Sequence, residues 1–293
     1  MKTKGLIAAP PTAFRSDGSI DLTAVAPLAE HVAQQGVTGV FVNGTTGEGI
    51  SLTTDEREQL AVEWRRVLPT SMKLFVHAGH NAIGEATRLA SHAQSIGADA
   101  VATIAPSFFK PTGIDGLVEW CAPIAAAAPS LPFYFYHMPS MSGVNVSITD
   151  FLPQAAERIP NLAGVKFTFE AMSDYLTALQ VDGGRFDVLW GRDEMLLSAL
   201  AVGAEGGVGS TYNVIAPLYL KMIAAFQRND LESARELQTQ SIAFINAMVA
   251  SGNFFVALKA VLHSQGVPIS SRVRVPMTNL PDSSFVVPAI PAT

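Results

Sequence analysis

A chain of 293 residues is long for an average domain but normal for one α/β barrel, and 48% hydrophobic against 15% charged residues exclude a disordered or coiled chain. The net charge of −6, with no run of Lys or Arg, argues against a nucleic-acid partner, and the single cysteine, Cys121, excludes an intramolecular disulfide and a thiolate metal site. The N-terminal apolar stretch is too short for a signal peptide and no segment reaches the ~20 apolar residues of a membrane span, so a soluble, cytoplasmic protein is expected.

Short apolar runs alternate with longer amphipathic ones. The run at 5–9 is followed by a helical pattern over 22–35, with apolar residues at Val25, Leu28, Ala29 and Val32 and a stop at Gly36. The run at 39–42 leads through a glycine-rich turn to a helix over 53–67, which opens on the capping sequence Thr53-Thr54-Asp55-Glu56. Runs at 74–78 and 100–104 precede helices over 84–96 and 115–128, which end at Gly97 and Pro129; Cys121 reads as a small buried residue of the second. Further runs lie at 133–136, 164–167, 188–190 and 206–209, with helices over 174–180 and 194–202 and none assigned between the first two.

Several of these eight runs lack polar alternation, as parallel strands covered on both faces should. Strand followed by helix, repeated, predicts a closed TIM (β/α)8 barrel over about residues 1–228; a doubly wound sheet would normally use fewer strands. After Tyr212 the strand signal stops, and 216–228, 231–250 and 254–265 read as helices. The expectation is a single domain, 1–293, with a small C-terminal helical appendage over about 229–276 and a tail over 277–293.

In such a barrel the active site is built at the C-terminal ends of the strands. The sixth run ends in Gly164-Val165-Lys166-Phe167-Thr168. A lysine in an apolar strand is costly to bury as an ammonium, and a desolvated amine is a nucleophile for carbonyls. The bland alternative is a strand-end lysine reaching solvent. The fifth run ends in Phe133-Tyr134-Phe135-Tyr136-His137, where alternation puts Tyr134 and Tyr136 on one face and Phe133, Phe135 and His137 on the other. Tyr136 and Lys166 would end adjacent strands, so the phenol could relay protons for the amine; alone it reads more readily as a core aromatic.

The second run continues into Asn43-Gly44-Thr45-Thr46-Gly47-Glu48-Gly49, a turn able to present N–H groups and hydroxyls to a carboxylate; Glu48 reads as a brace rather than a base. The seventh ends in Gly191-Arg192-Asp193-Glu194, whose acids suit either a helix start or substrate hydroxyls. The eighth ends in Gly209-Ser210-Thr211, where Ser210 could donate to a ligand. The histidines form no metal-binding spacing and no GxGxxG follows the first strand, so neither a metal nor a dinucleotide is expected.

Taken together, these residues resemble the family of N-acetylneuraminate lyase and dihydrodipicolinate synthase, from Gly5 to about Pro276. The turn Gly44-Thr45-Thr46-Gly47-Glu48 is similar to that family's pyruvate-carboxylate loop, Tyr136 to its proton-relay tyrosine, and Lys166 to its Schiff-base lysine. Residues 136–144 lack the Arg with which the synthase branch holds a second carboxylate and look like the lyase branch. By the same resemblance Thr168, Gly191, Asp193, Glu194 and Ser210 become sugar-binding candidates. Two departures stand out. Phe108 and Phe109 occupy the stretch where many members have a tyrosine reaching into a neighbouring subunit, and Thr45 stands where lyases often have Ser.

The resemblance implies a metal-independent class I aldolase without a cofactor, cleaving N-acetylneuraminate to pyruvate and N-acetylmannosamine, and assembled as a homotetramer. The alternatives are a pyruvate aldolase for another 2-keto-3-deoxy sugar acid, and a non-catalytic barrel that binds a keto acid or sugar acid.

Overall fold

In a computed structural model of the chain, which describes residues 2–280 and 289–291, eight parallel strands follow one another around a closed ring. They are β1 (Gly5–Ala8), β2 (Gly39–Val42), β3 (Lys73–His77), β4 (Ala100–Ile104), β5 (Phe133–His137), β6 (Leu162–Phe167), β7 (Asp187–Trp190) and β8 (Gly206–Gly209). β8 pairs back onto β1, so the sheet has no edge and the fold is a TIM barrel rather than a doubly wound sheet. Most of the predicted tail, at 281–288 and 292–293, lies outside the described residues.

Alternation along the strands divides the core in two. Phe41, Phe75, Tyr134, Tyr136, Leu189 and Val208 point inward and fill the barrel. Phe133, Phe135, Val165, Phe167 and Trp190 point outward into a larger layer beneath the helices. The two faces predicted for β5 are therefore the two faces observed.

The helices are α1 (Val25–Gln34), α2 (Thr54–Val67), α3 (Ile83–Ser95), α4 (Gly113–Ala126), α5 (Pro139–Ser142), α6 (Ile148–Arg158), α7 (Met172–Ala178), α8 (Leu196–Ala201), α9 (Tyr212–Gln227), α10 (Leu231–Ala250) and α11 (Phe254–Ser264). The capping box read at Thr53 is formed: its side chain accepts from the Glu56 N–H while the Glu56 carboxylate accepts from the Thr53 N–H. Among the described residues no single helix is long and apolar enough to cross a membrane.

Three features depart from the sequence reading. Helix α6 was not expected, because Pro153 in its middle removes a donor and obscures the apolar stripe of Ile148, Phe151, Leu152 and Ala155. Its start is secured twice: Ser147 accepts from the Asp150 N–H, and the Asp174 carboxylate accepts from the N–H groups of Ile148 and Thr149. Helix α9 begins at Tyr212 rather than 216, running through Pro217 with a non-helical residue at Ile215. The four-residue α5 is likewise absent from the sequence reading, whereas the last helix, read over 254–265, ends as expected at Ser264, where Gly266 turns left-handed (φ 91°) and Pro268 follows; residues 265–280 run back irregularly.

His137, at the end of β5, sits in the outer layer, and neither ring nitrogen finds a partner among the described residues. The rings of Phe135, Phe167 and Phe169 surround it at centroid distances of 6.0, 5.3 and 5.7 Å. Burial pushes its pKa down to about 4, with Asp174 opposing weakly. From about pH 6.5 down to about 4 the unfolded chain takes up a proton that the folded chain refuses. The stability associated with this site is therefore complete above about pH 6.5 and is lost as pH falls toward 4. His137→Phe should melt close to wild type near neutrality but a few degrees higher at about pH 5, as thermal denaturation at the two pH values would show.

Candidate active site

Register sets the centre of the site. Tyr136 pairs with Lys166 across β5 and β6, so both side chains enter the barrel at the C-terminal ends of their strands. Lys166 is 5% exposed. Its Nζ lies 4.0 Å from the centroid of the Tyr136 ring and 4.3 Å from that of Phe41, with two aromatic faces where a surface lysine would have water or a carboxylate. The Tyr136 hydroxyl donates to the thioether of Met138 at 2.9 Å and lies 3.3 Å from the Thr45 hydroxyl.

Thr45 belongs to the turn after β2. The Glu48 N–H donates to the Thr45 carbonyl and the Gly49 N–H to the Gly44 carbonyl, each at 3.0 Å. Asn43 and Glu48 are both left-handed, at φ 60° and 55°. A Cβ at Gly49 would come within 1.9 Å of the Asn43 carbonyl, so glycine is required there. The turn leaves the backbone N–H groups of Thr45 and Thr46 without a backbone acceptor among the described residues. Such a pair, flanked by two hydroxyls, is a fitting seat for a carboxylate.

Support comes from buried groups around the turn, among which Arg57 and Lys259 carry no mark in the sequence reading. Arg57, on α2, donates to the carbonyls of His77 at 2.5 Å and Gly79 at 2.8 Å, while the Asn43 side chain donates to the Arg57 carbonyl at 2.9 Å. The Glu48 carboxylate accepts from Lys259 Nζ at 2.5 Å and from the Arg274 N–H at 2.9 Å. It is a brace, as its sequence context suggested.

Thr45, Thr46, Tyr136, Lys166, Thr168, Gly191 and Ser210 all line one cavity of about 180 Å³. Thr46 and Ser210 share a hydrogen bond of 2.7 Å across it. The Thr168 hydroxyl is buried without a partner among the described residues. Gly191 makes room for it, since a Cβ there would lie 1.9 Å from that oxygen. Phe254 and Phe255, at the start of α11, close the cavity and were not anticipated. A larger cavity of about 380 Å³ adjoins it through Thr45, Met141 and Phe255, but Lys166 and Tyr136 open only onto the smaller one.

Asp193 and Glu194 lie outside the cavity lining. The Asp193 carboxylate sits behind β8, where Gly209 leaves space that a Cβ would take to within 2.0 Å of it. It accepts from the Thr211 N–H at 2.8 Å and the Thr211 hydroxyl at 2.6 Å. Burial raises its pKa to about 6, against the pull of those two bonds. The ladder between β7 and β8 has a single residue pair, Trp190 with Gly207, so this carboxylate ties a thin seam. Glu194 is held at the rim by Arg192 at 2.7 Å, which also binds Glu170 at 2.6 Å. Among the described residues no three His, Cys, Asp or Glu side chains gather as a metal site.

The model of the Dihydrodipicolinate synthetase family matches residues 2–284. The chain belongs to that family. Among its relatives within the family is the N-acetylneuraminate lyase of Mus musculus, 40% identical over 272 residues, covering 92% of this chain and 85% of that protein. The N-acetylneuraminate lyase of Gallus gallus is also 40% identical over 272 residues, covering 92% and 88%. Of solved structures, the Proteus mirabilis N-acetylneuraminate lyase is similar with a TM-score of 0.94 and 39% identity, covering 97% of this chain and 95% of that one. The N-acetylneuraminate lyase (sialic acid aldolase) of Aliivibrio salmonicida is similar with the same score and identity, covering 97% and 94%.

The close approach at Gly191 gives a direct test. Gly191→Ala should lower stability by about 1–3 kcal/mol through overpacking and turn Thr168 out of the cavity. Chemical denaturation measures the first effect and a crystal structure of the variant the second.

Proposed function

We propose that this chain is a class I aldolase that cleaves N-acetylneuraminate to pyruvate and N-acetylmannosamine. The observation that carries this reading is a nearly buried Lys166 amine between two aromatic rings, one of them Tyr136, with the Tyr136 hydroxyl against Thr45. An amine in this setting is suited to add to a ketone, and family membership alongside lyases at 40% identity supports the substrate.

Lys166 Nζ adds to the keto carbon of the open-chain sugar acid, and loss of water leaves an iminium. The N–H groups and hydroxyls of Thr45 and Thr46 hold the carboxylate beside it. Tyr136 takes the proton of the C4 hydroxyl as the C3–C4 bond breaks. The bonding pair moves into the iminium, giving an enamine of pyruvate and releasing the aldose. Protonation at C3 and hydrolysis of the imine then free pyruvate and the Lys166 amine. The imine is itself the electron sink, so the cycle calls for neither metal nor cofactor. Thr168, Gly191 and Ser210 border the path of the sugar, Glu194 meets its polyol tail at the rim, and Asp193 acts on it through Thr211 and the end of β8.

One observation favours a neighbouring substrate class: the position of Asp193 and Glu194 outside the lining leaves the tail less closely held than the pyruvate end. The decisive assay is pyruvate release from N-acetylneuraminate beside a panel of 2-keto-3-deoxy sugar acids. Lys166→Ala should abolish both release and borohydride trapping of pyruvate while the fold survives; normal turnover by this variant would sink the mechanism. Tyr136→Phe should lower kcat by about 10²-fold or more with a smaller change in KM.

We further read the protein as a cytoplasmic homotetramer. Phe108 and Phe109 support the assembly: they are 77% and 84% exposed and stack edge-to-face at 4.9 Å, an apolar pair that a second copy would cover. Phe108→Ser with Phe109→Ser should lower the molar mass seen by light scattering, and an unchanged mass would remove this pair from the interface.

A further inference from the structure

The Glu48–Lys259 pair is the most deeply buried ion pair among the described residues, with both side chains at 0% exposure. A pair of this kind adds little net stability, since taking two charges out of water offsets most of their attraction; its best-attested use is to select one arrangement of the chain. What it selects here is the turn that carries Thr45 and Thr46. Glu48 closes that turn through its own N–H and holds a left-handed conformation that is costly for a residue with a side chain.

Both oxygens of the Glu48 carboxylate are fixed from the C-terminal appendage. Oε1 accepts from Lys259 on α11 and Oε2 from the N–H of Arg274. Lys259 is fixed in turn, donating to the Arg272 carbonyl at 2.6 Å and lying 4.6 Å from the centroid of the Phe14 ring. The Arg274 guanidinium binds Glu56 and the carbonyls of Gly18 and Ser51, closing the same segment over the barrel. Helix α11 also supplies Phe254 and Phe255 to the cavity wall.

We propose that Glu48 and Lys259 are positioning residues of the active site: together they hold the Thr45–Thr46 turn in the shape that receives the substrate carboxylate. Neither touches the reacting atoms. The inference rests on the reading of that turn as the carboxylate seat, and it assigns the helical appendage a part in substrate binding.

The test uses the full chain and two carbonyl probes reduced onto Lys166 with borohydride, followed by mass spectrometry. Pyruvate has the carboxylate and acetone does not. The double variant Glu48→Gln with Lys259→Met removes both charges together, so neither is left buried alone. It should raise the pyruvate concentration for half-maximal trapping about tenfold or more, as small misplacements of a binding group do. Trapping by acetone should proceed at the wild-type rate.

An unchanged pyruvate half-saturation in the folded variant would overturn the proposal, as would an equal loss with acetone, which marks general damage. Should the double variant fail to fold, Glu48→Asp keeps the charge and withdraws it by one methylene, with the same expected result and the same overturning ones. Wild-type protein that traps no pyruvate would instead overturn the aldolase reading, and this inference with it.

Discussion

The pairing at the centre of the candidate active site depends on the register between β5 and β6. Opposite Tyr136 stands Lys166, and strand alternation turns both into the barrel. A slip of one residue would exchange Tyr136 for Phe135 or His137 and put a phenyl or a buried imidazole beside the amine. The register is protected by what lies outside: Phe135, Phe167 and Trp190 belong to the layer under the helices and could not be turned inward without emptying it. The amine can be kept in apolar surroundings because the same geometry supplies two aromatic faces for it, and its partner hydroxyl reaches the turn after β2 without a further intermediary.

The strands were legible because each is buried on both faces and bounded by a change of pattern. All eight predicted runs became strands, with no end moved by more than two residues. The helices were legible where period and punctuation agreed, as at α2 with its capping box, and α10 matches its predicted span. Helix α6 was hidden because a proline inside a helix reads locally as a break, while the groups that start it come partly from Asp174, on the next helix. No window of sequence contains that contact.

The residues that meet at the centre of the candidate site stand out in the sequence for a similar reason. Lys166, Tyr136 and the Gly44–Gly49 turn each violate a local expectation, being a charge in an apolar strand, a hydroxyl at a strand end and a cluster of glycines. Asp193 and Glu194 kept a double meaning in the sequence. Asp193 now stands as a buried tie between β7 and β8, and Glu194 as a rim residue paired to Arg192. Lys259 gave one faint signal, a lone cation in Phe254-Phe255-Val256-Ala257-Leu258-Lys259-Ala260-Val261-Leu262. Such a lysine ordinarily reaches for water along its helix; the partner that makes burial tolerable here is remote in sequence and visible only once the barrel has closed.

That remoteness affects the order in which the protein can be made. Glu48 and Lys259 are 211 positions apart, and the segment that finishes the grip ends later still, at Arg274. A chain emerging from the ribosome forms the β2 turn among its first products and the lysine that fixes it among its last. Strands pair in sequence order around the ring, each with the one before it, but the contacts that fix the turn at Glu48 form only when the end of the chain comes back to it. On the proposal above, the shape of the Thr45–Thr46 turn is set in one late step, once α11 and the segment through Arg274 are in place.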